Sequence, residues 1–148
     1  MTTIAIACDH AGLSLKTRLV DHLRKSGIEP LDLGTFNEES VDYPDFADLL
    51  ATALAKGRAE TGILICGSGI GISIAANRHR HIRAALCHDT TIARLAREHN
   101  NANVLALGAR ITETKVACDI LDTFLATPFA GGRHEKRVAK LGKTPASC

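Results

Sequence analysis

The sequence has no tryptophan, one tyrosine and four phenylalanines, so aromatic residues make up only 3% of it. That is too little ring surface for a platform that stacks nucleobases. A dominant charge is also missing. Eighteen Lys and Arg against sixteen Asp and Glu leave a formal charge of +2, too mild to point to nucleic acid. No apolar run approaches the roughly 20 residues that cross a bilayer. Met1-Thr2-Thr3-Ile4 has neither the basic nor the long apolar region of a signal peptide. The cysteines Cys8, Cys66, Cys87, Cys118 and Cys148 form an odd set, with no C-x-x-C pair and no zinc spacing. A disulfide scaffold and a structural zinc site are thereby disfavoured, and reduced thiols in the cytoplasm are expected.

What is present suits one globular domain spanning 1–148. The 148 residues are 45% hydrophobic and 23% charged, which is enough to bury a core without staples. Short β-type runs alternate with amphipathic stretches. Thr3–Cys8, Ile28–Leu33, Ile63–Cys66, Ile82–Cys87 and Val104–Leu107 read as strands. Between and after them, helical spacing brings together four apolar faces. These are Leu15, Leu19, Val20 and Leu23; Phe46, Leu49, Leu50, Ala53 and Leu54; Ile92, Leu95 and Ala96; and Val116, Ile120, Leu121 and Phe124. A further helix is expected from the glycine loop to near Arg78. Thr112 is placed to cap the helix through Leu125. Gly131-Gly132 marks a break before a short basic helical tail, and Pro145-Ala146-Ser147-Cys148 reads as a frayed end. Five β-runs alternating with helices predict an α/β fold, with a parallel sheet covered on both faces. Such sheets bind ligands beyond the C-terminal ends of their strands. Cys8-Asp9-His10, Cys66-Gly67-Ser68-Gly69, Cys87-His88-Asp89 and Gly108-Ala109-Arg110 all fall at such ends.

Each group has a functional and a structural reading. Gly67-Ser68-Gly69-Ile70-Gly71 joins a strand to a helix start. Its backbone N–H groups could cradle a phosphate or form an oxyanion hole, or the loop could simply be a tight turn. Ile72 stands where the dinucleotide fingerprint needs glycine, and no P-loop lysine follows. Cys66, aimed at that helix start, could be a thiolate base or nucleophile; equally, a cysteine in a buried strand is a small hydrophobe. Asp9-His10 could bind hydroxyls or phosphate, or make an Asx turn. His99 could transfer protons, or sit at a helix C-terminus with Asn100 as its left-handed cap. Arg133 and Arg137 lie four apart and, with Arg110, could clamp a phosphate, or belong to a solvated basic tail. Tyr43, in a loop before Pro44, could lid a pocket or only pack its ring. No metal-ligand pattern appears.

Taken in order and spacing, several motifs resemble the ribose-5-phosphate isomerase B family. They are Cys8-Asp9-His10-Ala11-Gly12, Asp42-Tyr43-Pro44, Ile65 to Gly71 with Ile74-Ala75-Ala76-Asn77, Arg97-Glu98-His99-Asn100, and Gly131-Gly132-Arg133-His134. The resemblance covers nearly the whole chain. It implies a Rossmann-like three-layer α/β/α sandwich with a five-stranded parallel sheet and a C-terminal helical tail. It implies interconversion of D-ribose 5-phosphate and D-ribulose 5-phosphate, as in the non-oxidative pentose phosphate pathway, with no metal or organic cofactor. It also implies an obligate homodimer, sometimes a tetramer, whose sites are shared between subunits, with the tail 131–148 reaching the partner.

By the same resemblance Cys66 moves the proton between C2 and C1, and His99 opens the furanose ring with help from Asp9. The N–H groups of Gly67, Ser68, Gly69, Ile70 and Gly71, with the Ser68 hydroxyl, hold the enediolate oxygen. Tyr43 and Asn100 line the sugar, and His10, Arg110, Arg133 and Arg137 hold the phosphate. Cys66, with Ile72 after the loop, matches the branch of the family that uses cysteine as base. Ser68 departs from the threonine common in that branch but keeps the hydroxyl. Allose 6-phosphate, galactose 6-phosphate and tetrose phosphates are alternative substrates within the resemblance. A nucleotide-binding α/β domain without catalysis is the alternative outside it.

Overall fold

Along the middle strand, neighbouring side chains belong to different cores. In β3 (Thr61–Cys66), Ile63 and Ile65 pack on one face of the sheet, and Leu64 and Cys66 on the other. This is the period of two that a strand buried on both faces requires. The structure is a computed structural model and describes residues 2–143; the expectations for Cys148 and the Pro145–Cys148 end lie outside the described residues. The remaining elements are β1 (Ile4–Cys8), α1 (Leu13–Lys25), β2 (Leu31–Asp32), α2 (Tyr43–Ala55), α3 (Ile70–Asn77), β4 (Ala84–Leu86), α4 (Thr90–Asn100), β5 (Val104–Gly108), α5 (Thr114–Ala126) and α6 (Glu135–Leu141). One-turn 3-10 helices cover His10–Gly12 and Gly132–His134.

All strand pairs are parallel, in the order β2-β1-β3-β5-β4. One core joins the sheet to α1, α4 and α5 through residues such as Leu19, Leu23, Ala93, Ile120, Leu121 and Phe124. The other joins it to α2 and α3 through Leu50, Ala51, Ile72 and Ala76. Each of the larger aliphatic side chains so buried contributes roughly 1.5–3 kcal/mol. The three-layer α/β/α sandwich is therefore as expected. After β1 the chain leaves to the α1 layer, and after the adjacent β3 it leaves to the α2/α3 layer. Their C-terminal ends thus flank a topological switch point, where open α/β sheets bind ligands.

Several boundaries differ from the sequence reading, for physical reasons. The run Ile28–Leu33 shrinks to the two residues of β2, because Pro30 has no N–H to give a ladder. Tyr43 is not in a loop; it opens α2, with Pro44 in the first turn. Leu49, Ile92 and Val116 lie exposed, while Ala47, Ala51, Ala93 and Ala117 are buried. On these helices alanines share the buried face with larger residues such as Leu50, Ile120, Leu121 and Phe124. Thr112 does not cap α5; the N-cap position is Glu113, whose side chain makes no capping bond. Asn101, not Asn100, takes the left-handed position after α4, with φ 45° and ψ 44°.

Candidate active site

At the switch point a cavity of about 480 Å³ lies over the end of β3, lined by Asp9, Tyr43, Cys66, Gly67, Ser68, Ile70, Gly71, Arg110 and Ile111. The Cys66 Sγ accepts a hydrogen bond from the Gly69 N–H at 3.2 Å, a bond that strengthens when the sulfur carries negative charge. Gly69 reaches that position with φ +78°, in the left-handed region glycine enters without strain. The Ile70 N–H is also engaged, by Ser68 Oγ at 3.2 Å. Two of the loop N–H groups expected to face the enediolate thus have partners already. This leaves those of Gly67, Ser68 and Gly71 without a partner among the described residues, together with the Ser68 hydroxyl proton. The Tyr43 ring lies against Gly71, and the Arg110 guanidinium lies against Gly67. Asp9 Oδ1 accepts the Gly12 N–H at 3.1 Å, so this buried carboxylate caps the turn that starts α1 while its side chain lines the cavity. His10 does not line the cavity; its Nδ1 accepts the Val41 N–H at 3.1 Å. Cys8 and Cys87 are the small hydrophobes of the structural reading. Burial pushes their thiols up to about 11 and about 12.

The other candidate residues gather elsewhere. His99 and Asn100 end α4, which runs back toward the N-terminal ends of the strands. Just beyond them, the Asn103 carbonyl accepts the Gly62 N–H at 2.9 Å. Gly62 is four residues before Cys66, about 13 Å down the strand at 3.3 Å per residue. His134 stacks on His99, with ring centroids 4.4 Å apart. Its imidazole is held below its ordinary value by partial desolvation and then by the charges of His99, Arg133 and Arg137. Gly131 and Gly132, both at positive φ, turn the chain so that the tail folds onto the end of α4, where the Ala130 N–H donates to the Glu98 carbonyl at 3.0 Å.

One chain therefore holds two separate groups of candidate residues, at opposite ends of its strands. Asp9, Tyr43, Cys66, the glycine loop and Arg110 share one, and His99, Asn100, Arg133 and Arg137 share the other. The clamp of Arg110 with Arg133 and Arg137 does not form within the chain, because a β/α unit puts its strand end and its helix end at opposite edges. Among the described residues no cluster of three or more His, Cys, Asp or Glu could cage a metal ion.

Residues 4–141 match the Ribose/Galactose Isomerase family. The chain belongs to this family. It is 47% identical over 138 residues to ribose-5-phosphate isomerase B of Escherichia coli strain K12, covering 93% of each chain. It is 48% identical to a putative sugar phosphate isomerase of Rickettsia bellii, covering 93% of this chain and 96% of the relative. Among solved structures, the ribose 5-phosphate isomerase RpiB of Thermotoga maritima aligns with a TM-score of 0.93 and 53% identity, over 95% of this chain and 97% of that one. In this member of the ribose/galactose isomerases, sequence reasoning gave no part to Ile111 and His134. Ile111 follows the Gly108-Ala109-Arg110 strand end directly, and His134 closes the Gly-Gly-Arg-His motif; adjacency in sequence was the available signal for both.

Proposed function

We propose that the chain interconverts D-ribose 5-phosphate and D-ribulose 5-phosphate through an enediolate, without metal or organic cofactor. The observation that carries the reading is the Cys66 thiol beneath a glycine-rich turn, in a cavity that also holds Asp9 and Arg110. An aldose becomes a ketose when the C2 proton leaves, the electron pair forms a C1–C2 enediolate with its charge on O1, the O2 hydroxyl proton passes to O1, and a proton returns to C1. Cys66 Sγ serves as the base that carries this proton. The Ser68 hydroxyl, whose oxygen already accepts the Ile70 N–H, points its proton at the developing oxyanion beside the Gly67 and Ser68 N–H groups. Arg110 holds phosphate at a distance from the reacting carbons, so that binding energy positions them.

The working form is a homodimer. A two-fold axis that brings the Cys66 edge of one chain to the His99 edge of another completes two equivalent sites. His99 of the second copy then opens the furanose, Asn100 lines the sugar, and Arg133 and Arg137 on the tail join the phosphate clamp. Supporting this, Ile70 (54% exposed) and Ile111 (63%) line the cavity, and Ile74 (54%) lies one turn along α3 from Ile70, exposed apolar surface that a second copy would cover. His10 orders the Val41 segment at the same end. We also place the protein in the cytoplasm: Cys8, Cys66, Cys87 and Cys118 are all free, and no helix among the described residues is long and apolar enough to cross a membrane.

The test is isomerisation of ribose 5-phosphate beside allose 6-phosphate, with EDTA present. Fast pentose turnover that falls on the order of 10²–10⁴-fold in Cys66→Ala, with sugar-phosphate binding retained, is the expected result. No pentose turnover by folded dimer moves the substrate to another sugar phosphate; near-normal turnover by Cys66→Ala rejects the base. Stabilisation by nucleotides but not by sugar phosphates would point to the binding-domain reading.

A further inference from the structure

The second group of candidate residues is assembled on one side chain to which no role has been given. Arg97 occupies the last turn of α4, half-buried and two residues before His99. Its Nε donates to the Thr127 carbonyl at 3.1 Å, and its Nη1 donates to Asn101 Oδ1 at 2.9 Å and to the Ala102 carbonyl at 2.6 Å. A single planar cation thereby ties together three pieces of chain: the end of α4, the turn into β5, and the segment that leaves α5 for the tail. Arg83, just before β4, adds to the same turn, with Nε and Nη2 donating to the Asn101 carbonyl at 3.0 and 2.8 Å. Asn101 is the one non-glycine residue at positive φ among those described, a conformation that needs such support.

These bonds go only to neutral oxygens, and among the described residues neither arginine has an ion pair. Burial lowers the pKa of both guanidiniums, and the charge of Arg83 lowers that of Arg97 further. Two like charges partly out of water are a poor way to fill space, since an aliphatic side chain of similar size would avoid the desolvation. What an aliphatic residue could not do is hold three carbonyl oxygens from two separate segments in one plane.

We propose that Arg97 is a positioning residue for the isomerase reaction, holding His99 and the tail arginines in one rigid unit that the chain presents to its partner. The inference rests on the shared-site reading above. Arg97 touches no reacting atom. It fixes the angle between α4, which carries His99 and Asn100, and the 127–134 segment, which carries Arg133 and stacks His134 on His99. Its effect is therefore confined to the half-site given away, while the Cys66 edge of the same chain stays intact.

That asymmetry supplies the test. Arg97→Met should lower kcat/KM on the order of 100-fold, the loss expected when a remote change misplaces reacting groups by about 1 Å. Arg97→Lys keeps the charge but offers one nitrogen for three oxygens, and should still lose at least about tenfold. The deciding measurement uses mixed dimers purified through two different tags. In a Cys66→Ala/Arg97→Met dimer, one site takes the intact edge from each chain and the other site takes both lesions. It should recover about half of wild-type activity, because one of two equivalent sites is whole. A Cys66→Ala/His99→Asn dimer, which should recover likewise, is the control. If the control recovers and the Arg97 dimer stays slow, Arg97 supports its whole chain and the positioning role is overturned. If neither recovers, the shared-site reading falls and takes this inference with it. Wild-type activity in Arg97→Lys would also overturn the bridging role. Should Arg97→Met fail to assemble, Arg97→Lys takes its place in the mixed dimer.

Discussion

Two glycines of the same loop, two residues apart, should respond to alanine in opposite ways. At Gly69 an added Cβ would lie 2.5 Å from Leu86 Cδ1, 2.8 Å from the Leu107 carbonyl carbon and 3.0 Å from the Gly108 nitrogen. Two of these atoms are backbone of the central sheet and cannot step aside. The residue also sits at φ +78°, which costs alanine about 1–2 kcal/mol. Overlap in a packed region adds about 1–3 kcal/mol, so Gly69→Ala should destabilise by about 2–5 kcal/mol in all. Because the Gly69 N–H is the one bonded to Cys66 Sγ, kcat should fall as well.

At Gly71 the added Cβ would lie 2.6 Å from Tyr43 Cζ and 2.9 Å from its Oη. Here the obstacle is the end of one side chain, 39% exposed at the first turn of α2, and the ring can swing outward. Alanine in a helix gains up to about 1 kcal/mol over glycine, so Gly71→Ala should change stability by less than about 1 kcal/mol while raising KM through the displaced Tyr43. In a Tyr43→Ala background the added methyl should have no further effect on KM, a coupling that a double-mutant cycle reads directly. Urea unfolding at one fixed protein concentration, with kcat and KM for ribose 5-phosphate, gives all the required numbers. Equal stability of Gly69→Ala and wild type would refute the packing argument. A loss above about 2 kcal/mol in Gly71→Ala would refute the idea that Tyr43 yields.

Lys16 is 1% exposed, with Nζ 2.6 Å from Asp32 Oδ1 and 2.7 Å from the Thr35 carbonyl. Lys16→Met should cost about 3 kcal/mol, the low end of the penalty for an orphaned buried charge because Asp32 reaches water; an unchanged urea midpoint would contradict this. Burial raises the Cys8 and Cys87 thiols from 9.0 to about 11 and about 12, so above pH 9 the folded chain holds protons the unfolded chain has released. Stability should therefore be complete below about pH 9 and decline between pH 9 and 11–12, by about 2–3 kcal/mol for Cys8. Cys8→Ala should flatten part of that decline in pH-resolved denaturation, and an unaltered slope would count against burial as the cause. Arg137→Ala should raise KM for ribose 5-phosphate by about 10–100-fold with little change in kcat, as loss of one charged hydrogen bond predicts; an unchanged KM removes it from the clamp.

The order of elements was legible because each strand repeats at period two or as a closed apolar run, and each helix at 3.6. Finer burial was not. Val116 and Ile92 look like core and Ala93 and Ala117 look neutral, yet at those positions the alanine is the buried residue and the larger side chain is exposed. The Cys66 edge could be assembled from the sequence, since strand ends in a parallel sheet share one side. The His99 edge could not, for the opposite reason. His99 is a helix end, and nothing in local pattern places it against Arg133, 34 positions later. The family resemblance put these residues in one site, and the single chain keeps them apart. Arg97 was invisible as anything but part of a motif, because its three acceptors are neutral backbone and amide oxygens drawn from two separate segments.

Separating Cys66 from His99 by the height of the sheet also sets how the protein responds to its own abundance. If no chain carries a complete site, catalytic capacity follows the concentration of pairs and falls with the square of chain concentration once most of the assembly has dissociated. Specific activity should then drop on dilution and return on concentration, with no unfolding in between. A substrate that bridges both edges would hold the pair together by mass action. Metabolite supply and subunit association would in that way become a single equilibrium.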